Sequence, residues 1–127
     1  MGLTSPGSQL AAIGGIEIQG LSAPTVLSLP VTNVALTTAT GNGVVVADGG
    51  DTVTERGVCW STSLNPTTSD SKATSAGTVG SYTVSITGLT NGTLYHARAY
   101  AINSVGTSYG NDVTFQPFAV STAWFSV

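Results

Sequence analysis

The chain has 127 residues, a formal net charge of −3 and only three basic side chains, Arg56, Lys72 and Arg98. With charged residues at 7% of the total, no basic patch able to follow a phosphate backbone can be assembled, which excludes nucleic acid as a partner. Cys59 is the single cysteine, so an intrachain disulfide and a cysteine metal cage are both excluded.

The length suits one domain with appendages, and abundant Gly, Thr, Ser and Val favour strands and turns over helices. Residues 1–25 read as an N-terminal arm. Turns at Ser5-Pro6-Gly7 and Gly14-Gly15 precede a short alternating run, Ile16, Glu17, Ile18, Gln19, which predicts one half-buried strand. Pro24 ends the arm in an extended linker. No basic, apolar leader of the secretory kind is expected in the arm, and no segment approaches a membrane span, so no membrane insertion is expected.

A domain is expected over residues 26–116. Val26, Leu27 and Leu29, then Val31, Val34 and Leu36 beyond Pro30, predict an edge strand, since edges tolerate proline and central strands do not. Ala39 to Val46 predicts a second strand, its start loosened by Gly41 and Gly43. Asp48-Gly49-Gly50-Asp51 has the composition of a turn; two aspartates there could also hold calcium, but the further spaced oxygens of such a site are missing. In the third strand, Thr52 to Ser61, the period of two puts Arg56, Val58 and Trp60 on one face, towards a core, and Gly57 and Cys59 on the other. Thr67 to Gly80 reads as an irregular crossing with a short edge strand at Lys72 to Thr74. Ser81 to Thr87 alternates, with Tyr82, Val84 and Ile86 inward. Thr93 to Gly106 is the central strand with its exit turn, and Thr107 to Phe115 the last strand. About seven short strands between Gly, Asn, Asp and Pro turns predict an all-β, antiparallel sandwich. A C-terminal tail over residues 117–127 follows.

Leu89, the Asn91-Gly92-Thr93 turn, Tyr95, Arg98, Ala101, Asn103 and Gly106 resemble the fibronectin type III signature around its sixth strand. Together with ERGVCWSTSLNPT (residues 55–67) and SYGNDVTF (residues 108–115), they make the chain similar, from about Val31 to Phe115, to the fibronectin type III-like modules of Bacteroidetes-type surface proteins. The resemblance implies an immunoglobulin-like sandwich. It gives Tyr95 the tyrosine-corner role, its hydroxyl bonding to backbone near the preceding corner, and makes Leu89, Trp60, Val58, Asn103 and Gly106 structural residues. One departure is that Trp60 lies on the third strand where the family places its Trp on the second.

Candidates for chemistry are few. His96 is the only histidine, with no second histidine or cysteine to complete a transition-metal site and no carboxylate near it in sequence. Neither a hydrolase motif nor a cofactor motif is present, and a catalytic role is not expected. Asn91-Gly92-Thr93 reads as a glycosylation sequon or as an ordinary turn. His96, Arg98, Tyr100 and Ile102 share one strand face, which is either an open binding surface or a sheet face on which the Arg98 stem covers an aromatic neighbour.

The ends carry apolar residues that a sandwich does not need: Ile16 and Ile18 in the arm, and Phe118, Val120, Trp124, Phe125 and Val127 in the tail. They can fold back as extra strands or pair with the open sheet edges of a neighbouring subunit, giving a homo-oligomer or larger assembly. The opening Leu3-Thr4-Ser5-Pro6-Gly7 is similar to the start of contractile phage tail-sheath proteins. The expected function is therefore a structural subunit of a virion or an extracellular filament. The alternative is a carbohydrate- or surface-binding module of a secreted bacterial protein, with a glycan as ligand.

Overall fold

A computed structural model describes residues 20–118 of the chain. Eight strands follow one another: β1 (Thr25–Thr32), β2 (Ala39–Ala47), β3 (Glu55–Ser61), β4 (Ser71–Ser75), β5 (Gly80–Ile86), β6 (Tyr95–Ile102), β7 (Thr107–Tyr109) and β8 (Val113–Phe115). One antiparallel sheet has the order β1-β2-β5, and the second the order β4-β3-β6-β7, with β8 also paired to β6. The two pack face to face as a sandwich. The arm strand expected at Ile16–Gln19 and the tail strand expected beyond Phe118 lie outside the described residues.

Alternation produces the core. Tyr82, Val84 and Ile86 of β5 are buried between exposed Ser81, Thr83 and Ser85. From the facing sheet, β6 contributes Tyr95, Ala97, Ala99 and Ala101, and β3 contributes Val58 and Trp60. Tyr95 stacks on Phe115 with ring centroids 5.6 Å apart.

The centre of the sandwich is thin, and the glycines of β2 are the reason. A Cβ on Gly43 would stand 2.7 Å from the Cβ of Ala99 and 2.8 Å from the Tyr82 hydroxyl; one on Gly41 would stand 3.1 Å from Val58. These glycines do not loosen the strand, as composition suggests; they let the two sheets approach. Tyr82 uses that closeness. Its hydroxyl crosses to the opposite sheet, 2.8 Å from the Gly57 carbonyl and 3.2 Å from that of Tyr100. Burial pushes its pKa up to about 12, so it stays a neutral donor.

Several boundaries differ from the sequence reading, and β3 begins at Glu55 and not at Thr52. The first strand ends at Thr32, because the Pro30 region shifts the register between Leu29 and Thr32. The last strand is two, β7 and β8, separated by a bulge at Gly110–Asp112, which raises the strand number to eight. The bulge turns towards β1: Asn111 Oδ1 accepts a hydrogen bond from Ser28 N at 3.3 Å, and a Cβ on Gly110 would stand 2.4 Å from that nitrogen. Finally, residues 20–24, assigned from sequence to the arm, lie on the sandwich. Ser22 N donates to Gly49 O at 2.8 Å, and Asn103 Nδ2 donates to Ser22 O at 2.7 Å.

The described chain therefore enters beside the turns at residues 48–51 and 103–106 and leaves at the opposite pole. There Gly92 N donates to Pro117 O at 2.7 Å.

Replacing Gly43 by Ala should lower stability by about 1–3 kcal/mol through overpacking. Tyr82→Phe should cost about 1 kcal/mol through the lost inter-sheet hydrogen bond. Urea unfolding of both variants checks this; a Gly43→Ala protein as stable as the wild type would show that the sheets can move apart freely.

Candidate functional site

The two outer faces of the sandwich differ in kind. On the β4-β3-β6-β7 sheet, the loop between β3 and β4 folds over the face and is held there by side chains. Arg98 donates from Nε to Pro66 O at 2.9 Å, and its guanidinium lies 4.0 Å from the centroid of the Tyr109 ring. The Tyr109 hydroxyl accepts from Thr68 N at 3.0 Å. Asp112 accepts from Asn65 N at 2.8 Å with one oxygen and meets His96 Nδ1 at 2.7 Å with the other. Of the row His96, Arg98, Tyr100 and Ile102, Tyr100 is fully buried and the other three are half-buried, and Arg98 does lie over an aromatic neighbour.

The same cover explains Cys59. Its face is opposite to the core, as the strand period requires, yet Cys59 is fully buried, with Pro66 O and Arg98 O each 3.5 Å from Sγ. Burial pushes the thiol pKa up to about 11, so it is a poor nucleophile at neutral pH.

Every charged side chain among the described residues has a partner within the chain. Arg56 lies under one end of the sandwich, 4.8 Å from the Tyr82 ring centroid, and its guanidinium donates to Ala76 O and Thr78 O. Lys72 Nζ is 2.8 Å from Glu55 Oε2, which also accepts from the Tyr100 hydroxyl at 2.5 Å. Asp48 accepts from Gly50 N, Asp70 from Thr67 N, and Asp51 from Ser104 N and Oγ. Hydrogen bonds from Lys72 and then Tyr100 hold the Glu55 carboxyl below the usual carboxylate range; burial and the nearby Glu55 carboxylate push Tyr100 up.

The outer face of the β1-β2-β5 sheet has no such cover. Leu27 and Leu29 of β1 and Val46 of β2 are 49%, 37% and 50% exposed. The cross-strand rows run Leu27–Val44–Ser81 and Leu29–Asn42–Thr83, without one ionisable side chain. Asn42 leans towards β1, donating to Pro30 O at 2.9 Å and Thr32 Oγ1 at 3.0 Å. Beside it a shallow groove of about 550 Å³ opens, lined by Leu29, Pro30, Asn42, Gly43, Tyr82 and Thr83 among others.

The free edges of the sandwich differ too. The edge of β1 is occupied by Asn111 and interrupted by Pro30. The edge strand β4 carries Lys72. β5 has neither proline nor charge, and its register with β2 runs unbroken from Ile86↔Ala39 to Gly80↔Val45. Among the described residues, no backbone hydrogen bond reaches its outer edge.

The structural residues singled out from sequence sit in the core or in its loops. Tyr95 accepts a hydrogen bond from Thr90 N at 2.9 Å, and Leu89, Val58 and Trp60 are core. Asn103 ties loops together by donating to Ser22 O and Asp48 O while accepting from Val105 N and Gly106 N. Phe118 is 54% exposed; Ile16, Ile18, Val120, Trp124 and Phe125 lie outside the described residues. Among the described residues no three His, Cys, Asp or Glu side chains converge on a metal position, and no helix is long and apolar enough to cross a membrane. The open face and the β5 edge were not singled out from sequence, although the charge-free run from Gly80 to Ile86 is visible there.

No family model matches the chain, and no curated protein matches it. Solved structures do. A fibronectin type III domain of a human protein superposes with a TM-score of 0.55 at 12% identity, over 90% of this chain and 89% of that one. The sensor domain of an anti-sigma factor of Pseudobacteroides cellulosolvens gives 0.53 at 16% identity, over 78% of this chain and 98% of that one. A further human fibronectin type III domain gives 0.54 at 17% identity, over 87% and 92%. The fold is a fibronectin type III-like β-sandwich. At such identities the likeness carries fold alone, and the function of the fibronectin type III-like module has to be argued from its own surface.

The Glu55 cluster makes stability depend on acid. Because its folded pKa is lowered, the contribution is full above the unfolded value of about 4.3 and is lost as pH falls through the folded one. The urea midpoint of the wild type should therefore drop more steeply between about pH 5 and pH 3 than that of Glu55→Gln. Parallel curves would remove Glu55 from the acid response.

Proposed function

We propose that the chain is a non-catalytic structural subunit, joined to its neighbours through its N-terminal arm and C-terminal tail, in a virion or an extracellular filament. The observation that carries this reading is the placement of the ends. The sandwich takes up one segment at one pole, beside Gly49 and Asn103, and releases the other at the opposite pole, beside Gly92. Exit points at opposite poles suit a head-to-tail, heterologous contact that propagates.

The surface supports it. With every described cation and carboxylate paired inside the chain, what remains for a partner is apolar, hydroxyl and amide surface, which packs against its own kind without desolvating ions. Exposed apolar side chains at the exit pole, Leu36, Leu94 and Phe118, are 49%, 51% and 54% accessible. A glycan-binding reading asks for an exposed aromatic platform; among the described aromatic side chains Trp60, Tyr82, Tyr95, Tyr100 and Phe115 are buried, Tyr109 lies against Arg98, and Phe118 alone is exposed.

Removal of residues 1–19 and, separately, of 119–127 should lower or abolish self-association of the chain, read as mass by sedimentation velocity at several concentrations. A full chain that stays monomeric throughout, or truncated chains that associate as well as it does, would defeat the reading.

A further inference from the structure

We propose that the outer edge of β5, with the uncharged groove beside it, is the receptor for the C-terminal segment 119–127 of a second copy of this chain, which adds there as a further strand. The inference rests on the assembly reading above and names the surface that reading requires.

Three observations converge on β5. Sheet edges are ordinarily blunted by proline, charge, a bulge or a covering loop. The β1 edge is occupied by the Gly110–Asp112 bulge, and the β4 edge carries Lys72. β5, seven residues in unbroken register, has none of these protections, whereas the remaining edge strands, β7 and β8, are blunted by being three residues each. The face it borders is free of ionisable groups and holds the Leu29–Asn42–Thr83 groove.

The occupant is chosen by composition and by reach. Residues 119–127, AVSTAWFSV, contain no charged side chain, no glycine and no proline, and include β-branched and aromatic residues suited to a strand. Extended, nine residues span about 30 Å, enough to run the length of β5. The donor is a neighbour because the assembly reading, on which this inference rests, sends the tail away from its own sandwich; Pro117 O, held by Gly92 N at 2.7 Å, marks the point of departure, at the pole of the β5–β6 loop. Backbone hydrogen bonds to β5 give the pairing, and the uncharged groove accepts the uncharged side chains of the added strand.

The test uses the full chain. A photo-reactive phenylalanine analogue replaces Phe125, heavy- and light-isotope copies are mixed, and cross-linked peptides are identified by mass. The inference expects heavy–light cross-links on residues 80–86 or 27–32, and at least a tenfold weaker association in Thr83→Lys, an exposed position where the fold should tolerate the change. If association is lost on deleting 119–127 but the cross-links fall elsewhere, or join only copies of one label, the β5 site is wrong while the assembly reading stands. If Thr83→Lys folds and associates like the wild type, the site is likewise overturned. A full chain that never associates defeats the assembly reading and this inference with it.

Discussion

The engagement of every described charge inside the chain is the constraint on which the rest of this molecule depends. Three cations are available in the whole sequence. Arg56 closes one end of the sandwich under the β4–β5 connection, Lys72 joins β4 to Glu55 and Tyr100, and Arg98 fastens the β3–β4 loop over the second sheet. Of these only Lys72–Glu55 is an ion pair, and an exposed pair of that kind adds little stability singly. The importance of the three here is positional, since each one helps to fix a loop or an edge of the sandwich. The consequence is a surface on which no unpaired cation among the described residues is left to recruit an anionic partner, and on which apolar and hydroxyl groups must do any recognition.

The covered face and the open face follow from the same distribution. One sheet receives the loop, the cations and the buried Tyr100, and becomes an inner layer of its own. The other sheet is pulled close to it by Gly43, Ala99 and the Tyr82 hydroxyl, and nothing among the described residues lies over its far side. The proposed docking of a neighbour's tail is accordingly assigned to the bare sheet and to its unprotected edge strand, β5.

Much of the fold was readable in the chain. The alternation of Ser81 to Thr87 gave β5 its buried and exposed sides, and the period of two placed Val58 and Trp60 inward. The Tyr95 hydroxyl meets the backbone of Thr90, as the fibronectin type III resemblance implies. What was not readable depends on partners far along the chain. Cys59 looks exposed to a strand-period argument, because its cover is brought from Pro66 by Arg98, thirty-two residues later. His96 has no carboxylate near it in sequence, yet the bulge before β8 delivers Asp112, sixteen residues on. Gly41 and Gly43 look like breakers until Ala99 and Tyr82 stand opposite them. The candidate surface was partly hidden for the same reason: Leu27 and Leu29 resemble core residues locally, and only sheet order shows that they face outward.

The central claim, that uncharged surfaces join copies of this chain, is tested most directly by the salt dependence of self-association, measured by sedimentation equilibrium from 50 mM to 1 M NaCl. The account predicts an association constant that stays level or rises with salt, because no ion pair is screened and apolar contact is favoured. A constant that falls steeply with salt, as charge-driven contacts do, would contradict it.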